Sequence, residues 1–170
     1  MSRLTAVRAL AFITALLSAA TMACSDDGPT GTAVELGTKG PKVAPLAYCP
    51  GTPYDSTTRT IGAGGGTIVA GRGTFVIPAN AVPVPTTITM VQPADSVTSY
   101  RFYPEGLQFT TAQPTLQIDY STCVKGPTDA PQIVYLDNMG RILERLPTTV
   151  LPKHLVQALI YHFSRYAIAY

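Results

Sequence analysis

The 170-residue sequence has no tryptophan, 2 histidines and 3 cysteines, and only 13% of its residues are charged. Each scarcity excludes something. So few histidines and cysteines cannot furnish an array of zinc fingers, in which every ion takes four nitrogen or sulfur ligands. The formal net charge of +2 supplies no basic stripe to neutralise phosphates, so nucleic acid is not an expected partner. Helix-friendly stretches are lacking as well. The chain carries 14 Gly and 15 Pro, both of which break helices, and this argues against a helical bundle. The apolar run Ala9–Ala23 has 15 residues, short of the roughly 20 that a spanning helix needs. What is present is a 46% hydrophobic content, ample for one core and unlike a wholly disordered chain.

The amino terminus places Arg3 and Arg8 ahead of that apolar run, and small residues after it. This is the layout of a secretory signal peptide, residues 1–23. Thr21-Met22-Ala23-Cys24, with a small residue directly before a cysteine, resembles a bacterial lipobox, although Leu is commoner where Thr21 stands. The resemblance implies a diacylglycerol on the Cys24 sulfur, cleavage before Cys24 and acylation of the new amino group. Several acyl chains hold a protein stably at a membrane, whereas one does so only marginally. The expected location is therefore the cell envelope, with the lipidated Cys24 contacting the membrane; simple secretion is the alternative. Ser25, in place of Asp after the cysteine, points to outer-membrane sorting, with Asp26 and Asp27 close behind. Arg3 and Arg8 leave with the signal, so 12 basic residues become 10 against 10 acidic ones. The mature chain is formally neutral.

Residues 24–47 are rich in Gly, Thr and Pro and poor in large apolar side chains. Such a segment cannot bury enough surface to offset its ordering entropy and reads as a flexible tether. From residue 48 to 170 the texture changes to short β-branched and aromatic runs separated by turn residues. Strands are expected at Thr57–Gly62, Thr67–Ala70, Thr74–Ile77, Thr86–Gln92, Tyr100–Tyr103, Thr115–Tyr120, Gln132–Leu136, Arg141–Arg145, Leu155–His162 and Arg165–Ala169. Leu116, Ile118 and Tyr120 alternate with Gln117 and Asp119, the period of a half-buried strand. Many short strands with frequent turns predict an all-β fold, an antiparallel β-sandwich. Asp137-Asn138-Met139-Gly140 reads as a hairpin turn. Export to an oxidising compartment leaves Cys49 and Cys123 to pair with each other, at a gain of about 2–4 kcal/mol. Two separate buried thiols are the alternative. No Cys-x-x-Cys is present, so a redox-active pair is not expected.

Three segments carry a resemblance: Gly62-Ala-Gly-Gly-Gly-Thr-Ile68, Thr74-Phe-Val-Ile-Pro-Ala-Asn-Ala-Val82, and Tyr103-Pro-Glu-Gly-Leu-Gln-Phe109 followed by Pro114-Thr-Leu-Gln-Ile118. In this order and spacing they resemble the ZU-five domain of ankyrins, netrin receptors, zonula-occludens proteins and many secreted bacterial proteins. The likeness runs from Thr57 to Tyr170, and Asn80 stands where that family often has Gly. It implies a β-sandwich that binds or scaffolds and has no general catalytic site. Gly64–Gly66 could also suggest a phosphate-cradling loop, but Thr67-Ile-Val-Ala reads as a strand, not as the helix such a loop needs.

His162-Phe163-Ser164 has a sharper reading. Some ZU-five domains of death-domain adaptors, and the unrelated autoproteolytic domain of a nucleoporin, cut themselves between Phe and Ser of this tripeptide. The resemblance implies that the Ser164 hydroxyl attacks the Phe163 carbonyl, His162 takes its proton, and water hydrolyses the resulting ester. The plainer reading is a final hairpin, with His162 a sheet histidine, Phe163 a core anchor and Ser164 a turn residue. Other catalytic sets are weaker. No Gly-x-Ser-x-Gly elbow accompanies His154 or His162, and Glu105, Glu144, Asp119 and Asp137 form carboxylate pairs that any chain offers. No metal or cofactor is expected. The 9 tyrosines leave open a carbohydrate-binding surface. The primary expectation is a non-enzymatic binding or structural module with a protein or glycan partner.

Overall fold

The computed structural model describes residues 45–126 and 130–170. The expected signal peptide, Cys24 and the expected tether as far as residue 44 lie outside the described residues. The described part is all-β, and its strands pair antiparallel. In chain order they are β1 (Tyr48–Thr52), β2 (Asp55–Ile61), β3 (Gly66–Ala70), β4 (Gly73–Ile77), β5 (Thr86–Gln92), β6 (Asp95–Val97), β7 (Ser99–Tyr103), β8 (Thr115–Asp119), β9 (Gln132–Leu136), β10 (Ile142–Arg145), β11 (Thr148–Leu151), β12 (Leu155–Leu159) and β13 (Arg165–Ala169). A six-stranded sheet runs β10-β9-β13-β7-β5-β2 and a five-stranded sheet runs β11-β12-β8-β4-β3. The two pack face to face as a β-sandwich, and β1 pairs with β6 as a separate ribbon.

Alternation along each strand builds the core. Ile88, Met90 and Gln92 of β5 are buried, while Thr87 lies on the outer face. Leu116 and Ile118 of β8 are fully buried and Tyr120 packs partly buried beside them, as the period-two pattern expects. At the centre are Phe75, Phe102, Phe109 and Phe163. The Phe75 and Phe102 rings, from opposite sheets, approach to 4.6 Å. Along one side the sheets are joined by side chains of β2. Thr57 Oγ1 donates to the Val69 carbonyl at 2.6 Å and Arg59 Nη1 donates to that of Thr67 at 2.8 Å. A smaller apolar cluster lies on the outer face of the six-stranded sheet, where Leu46 and Val97 cover Val134, Leu136, Ala167 and Ala169. Leu46 bridges to Ala169, and the buried Ala47 donates its N–H to the Ile168 carbonyl at 2.8 Å. The last three tether residues thus pack with the final strand.

Cys49 on β1 and Cys123, just after β8, form a disulfide across a sequence separation of 74. A backbone bond from Val124 N–H to the Tyr48 carbonyl, 2.7 Å, runs beside it. At the turn after Pro78, Asn80 has φ 64° and donates its N–H to the Ala63 carbonyl. Asparagine is among the few non-glycine residues that enter this left-handed region readily. The strands β1, β6 and β11 are additions to the sequence expectation. β1 contains Pro50 and Gly51, β6 is only 3 residues long, and β11 is an edge with little burial.

The expected final hairpin is replaced by a crossover. The strand expected over Leu155–His162 ends at Leu159 and lies in the five-stranded sheet. β13 lies in the other sheet, between β9 and β7. Ile160 and Phe163 are both buried, so the connecting chain stays against the core and passes from sheet to sheet. There it pairs with the segment around Gln108: Phe109 N–H donates to the Tyr161 carbonyl and Phe163 N–H to the Leu107 carbonyl, each at 2.8 Å.

Candidate functional site

The crossover carries His162-Phe163-Ser164 into the wall of a cleft of about 490 Å³. Its other walls come from the ends of β7, β9 and β13, the turn after β9 and the loop after β7: Arg101, Glu105, Gln108, Tyr135, Asp137, Asn138 and Arg165. The site therefore joins the expected tripeptide to Arg101, Tyr135 and Arg165, which no sequence motif had marked.

Phe163 is 2% exposed and acts as the core anchor of the plainer sequence reading. Its ring stacks on Phe102 at 5.2 Å and meets Phe109 edge-on at 5.1 Å. The Phe163 carbonyl accepts the Gly106 N–H at 3.1 Å, and the Ser164 carbonyl accepts that of Phe102 at 3.1 Å. The His162 ring packs edge-on against Tyr135 at 4.9 Å. Its polar contact is with the Tyr166 hydroxyl at 3.5 Å rather than with the Ser164 hydroxyl. The same tyrosine donates to the His162 carbonyl at 2.6 Å. Burial pushes the Tyr166 hydroxyl well above the usual tyrosine range, with Tyr135 and Glu144 adding to the effect.

The turn after β9 is held by Asp137. Its carboxylate accepts the backbone N–H groups of Met139 and Arg141, each at 2.9 Å, and Arg141 Nε at 2.6 Å. The Arg141 N–H, and next its guanidinium, hold this carboxyl below the ordinary carboxylate range. Gly140 supplies the positive φ, 79°, that the turn requires. Of the other carboxylates weighed in the sequence, Asp119 lies in the opposite sheet, 4.0 Å from Arg72. Glu144 is exposed on the edge strand β10, and Glu105 reaches the cleft. His154 sits in the β11–β12 turn with φ 60°, its ring edge-on to Tyr120. Neither histidine is thereby assembled into a serine–histidine–acid relay. Among the described residues no three His, Cys, Asp or Glu side chains gather as a metal site.

Of the tyrosines, Tyr100, Tyr166 and Tyr170 are buried, while Tyr48, Tyr54, Tyr103 and Tyr161 are exposed. Tyr103 and Tyr161 flank the cleft in sequence, adjoining the loop after β7 and the tripeptide.

Arg101 and Arg165 are the residues that sequence reasoning missed. They face each other in register on β7 and β13. The available signal was their phase, opposite to that of Tyr100, Phe102, Tyr166 and Ile168, which belong to the core between the sheets. Pairing two strands separated by more than 60 residues requires the fold. No protein-family model matches the chain, and no curated protein matches it.

Proposed function

We propose that this chain is a non-enzymatic binding or structural module, a ZU-five-like β-sandwich held at a bacterial cell envelope through an acylated Cys24. The observation that carries the binding reading is the polar cleft. It is a recess walled by the ends of three hydrogen-bonded strands, so it needs no large rearrangement to receive a partner. Two of the groups in it that could do chemistry have structural partners: His162 contacts Tyr166, and Asp137 is bound to Arg141. The ZU-five-like glycine turn and the Asn80 turn serve the scaffold, which agrees with a module that presents a surface.

A second reading rests on one contact. The Gly106 N–H points at the carbonyl that self-cleavage would attack, and a donor there would stabilise the developing oxyanion. Against it stands the His162 ring, engaged with Tyr166 instead of Ser164. Intact mass spectrometry of protein purified from the envelope, after prolonged incubation, decides between them. The expected species is acylated at Cys24 and continuous through Tyr170. A new amino terminus at Ser164 would establish the self-cutting domain, and a mature chain without acyl mass would mean secretion without an anchor.

A further inference from the structure

Arg101 and Arg165 stand directly opposite each other on adjacent strands, and like charges in that position destabilise a sheet. The ion pairs among the described residues, Arg72–Asp119 and Arg141–Asp137, involve neither of them. The Nε atoms of both are buried and have no hydrogen-bond partner. Among the described residues, the one side-chain hydrogen bond of either is from Arg165 Nη2 to Ser99 Oγ at 3.5 Å. Elsewhere on the same sheet the cross-strand pairs are chemically matched: Thr58 bonds Thr89 at 2.9 Å and Thr60 bonds Thr87 at 3.2 Å. A side chain needed only to cover the sheet could have been a threonine here as well. Two guanidiniums side by side, with hidden donors unused, lack a negative counterpart.

The cleft's own acids do not provide it. Asp137 is bound to Arg141, and Glu105 lines the cleft without pairing to either arginine. We propose that Arg101 and Arg165 together bind an oxyanion, the carboxylate, sulfate or phosphate group of an acidic ligand. This rests on the reading of the cleft as a binding recess. Guanidinium forks match the two-oxygen edge of such groups. The recess is of ligand size, and Gln108, Asn138 and Ser164 on its walls offer hydrogen bonds to neutral hydroxyls. The anion can be free, or it can be the acidic group of a saccharide.

Titration of the full chain in detergent tests this, at an ionic strength fixed with sodium chloride. The probes are sodium sulfate, sodium phosphate, trigalacturonic acid and the neutral trisaccharide maltotriose. Melting temperature and the arginine Nε–H resonances of the nitrogen-15-labelled protein are followed. The expected result is saturable binding of at least one anionic probe, with two Nε–H resonances moving together. Binding should weaken about tenfold or more in Arg101→Gln and in Arg165→Gln. Arg72→Gln, on the opposite sheet, should leave it unchanged. Sulfate or phosphate binding as tightly as the acid sugar marks a free-anion site; binding of trigalacturonic acid alone marks an acidic-saccharide site. The resonance measurement uses the unaltered protein and so stands even if a variant fails to fold. Stabilisation that does not saturate, or that survives both arginine substitutions, overturns the proposal. Binding of maltotriose with no response to any anion would keep the cleft as a recess and discard its anion site.

Discussion

The Phe163 ring lies stacked on that of Phe102, centroids 5.2 Å apart, although Phe163 belongs to the crossover and Phe102 to a strand. This contact ties the tripeptide to the centre of the core. Its neighbour Ser164 is part of the cleft wall. Phe163→Ala should therefore cost about 3–5 kcal/mol, the range for emptying a buried aromatic site. Ser164→Ala should cost less than about 1 kcal/mol. Urea midpoints of the two variants provide the comparison. Equal, small effects would show that the phenylalanine is not a core anchor.

A buried amide organises the opposite corner. Gln92 is 0% exposed, and its Oε1 accepts the Tyr100 hydroxyl at 2.8 Å and the Arg72 N–H at 3.0 Å. Its Nε2 donates to the Pro53 carbonyl at 2.9 Å. Gly71 lies against this amide with φ 52°, leaving no room for a side chain. Gln92→Leu strands three polar groups at once and should cost about 2–4 kcal/mol. Tyr100→Phe added to it should cost less than it does in the parent, because the hydroxyl has already lost its acceptor. Additive effects in that double-mutant cycle would show that the two groups are not coupled.

The disulfide should behave as a clamp on the unfolded chain. Cys49 is fully buried and Cys123 nearly so, which shields the bond in the folded protein. Replacing both by Ala removes a cross-link over a separation of 74 residues and should lower stability by about 2–5 kcal/mol. Denaturant curves of the oxidised protein and the double variant measure it. Coincident curves would mean that the bond contributes nothing.

The strands most legible in the sequence were those whose alternation is strict and whose buried residues are large, such as β5 and β8. Those that escaped were short or held by neighbours: β1 is interrupted by Pro50 and Gly51, and β6 exists by pairing with it. The end of the chain shows a different limit. The pattern across Tyr161–Tyr170 fits a hairpin as well as a crossover, and the burial of β13 on both faces, Tyr166 through Ala169, is set by its neighbours in the fold. Only the choice of pairing partner separates them, and that partner is β9 and β7, distant in sequence. The same non-local pairing hid the cleft. His162-Phe163-Ser164 was visible as a motif, whereas Arg101 and Arg165 acquire meaning only when their strands lie side by side. The Cys49–Cys123 bond was legible because the sequence holds only 3 cysteines, and the expected lipidation of Cys24 would leave no other partner for either.

Alkaline pH should unfold the domain through two tyrosines. Burial pushes the Tyr100 and Tyr166 hydroxyls well above the ordinary tyrosine pKa, against a smaller opposing effect of Arg72 on Tyr100. Each donates its proton in the folded state, to Gln92 Oε1 and to the His162 carbonyl respectively. In the unfolded chain both ionise near pH 10. A raised folded pKa means that the folded state holds its protons longer. The stabilisation is therefore complete below about pH 10 and declines as pH rises above it. With two such groups the decline is about 2.7 kcal/mol per pH unit until the folded pKa values are reached. Tyr100 and Tyr166 should ionise together with loss of the far-ultraviolet β signal, read by tyrosinate absorbance and circular dichroism on one sample. Tyr100→Phe should shift the unfolding midpoint to higher pH. A midpoint unmoved by that substitution, or ionisation of Tyr100 and Tyr166 before any loss of structure, would disprove the linkage.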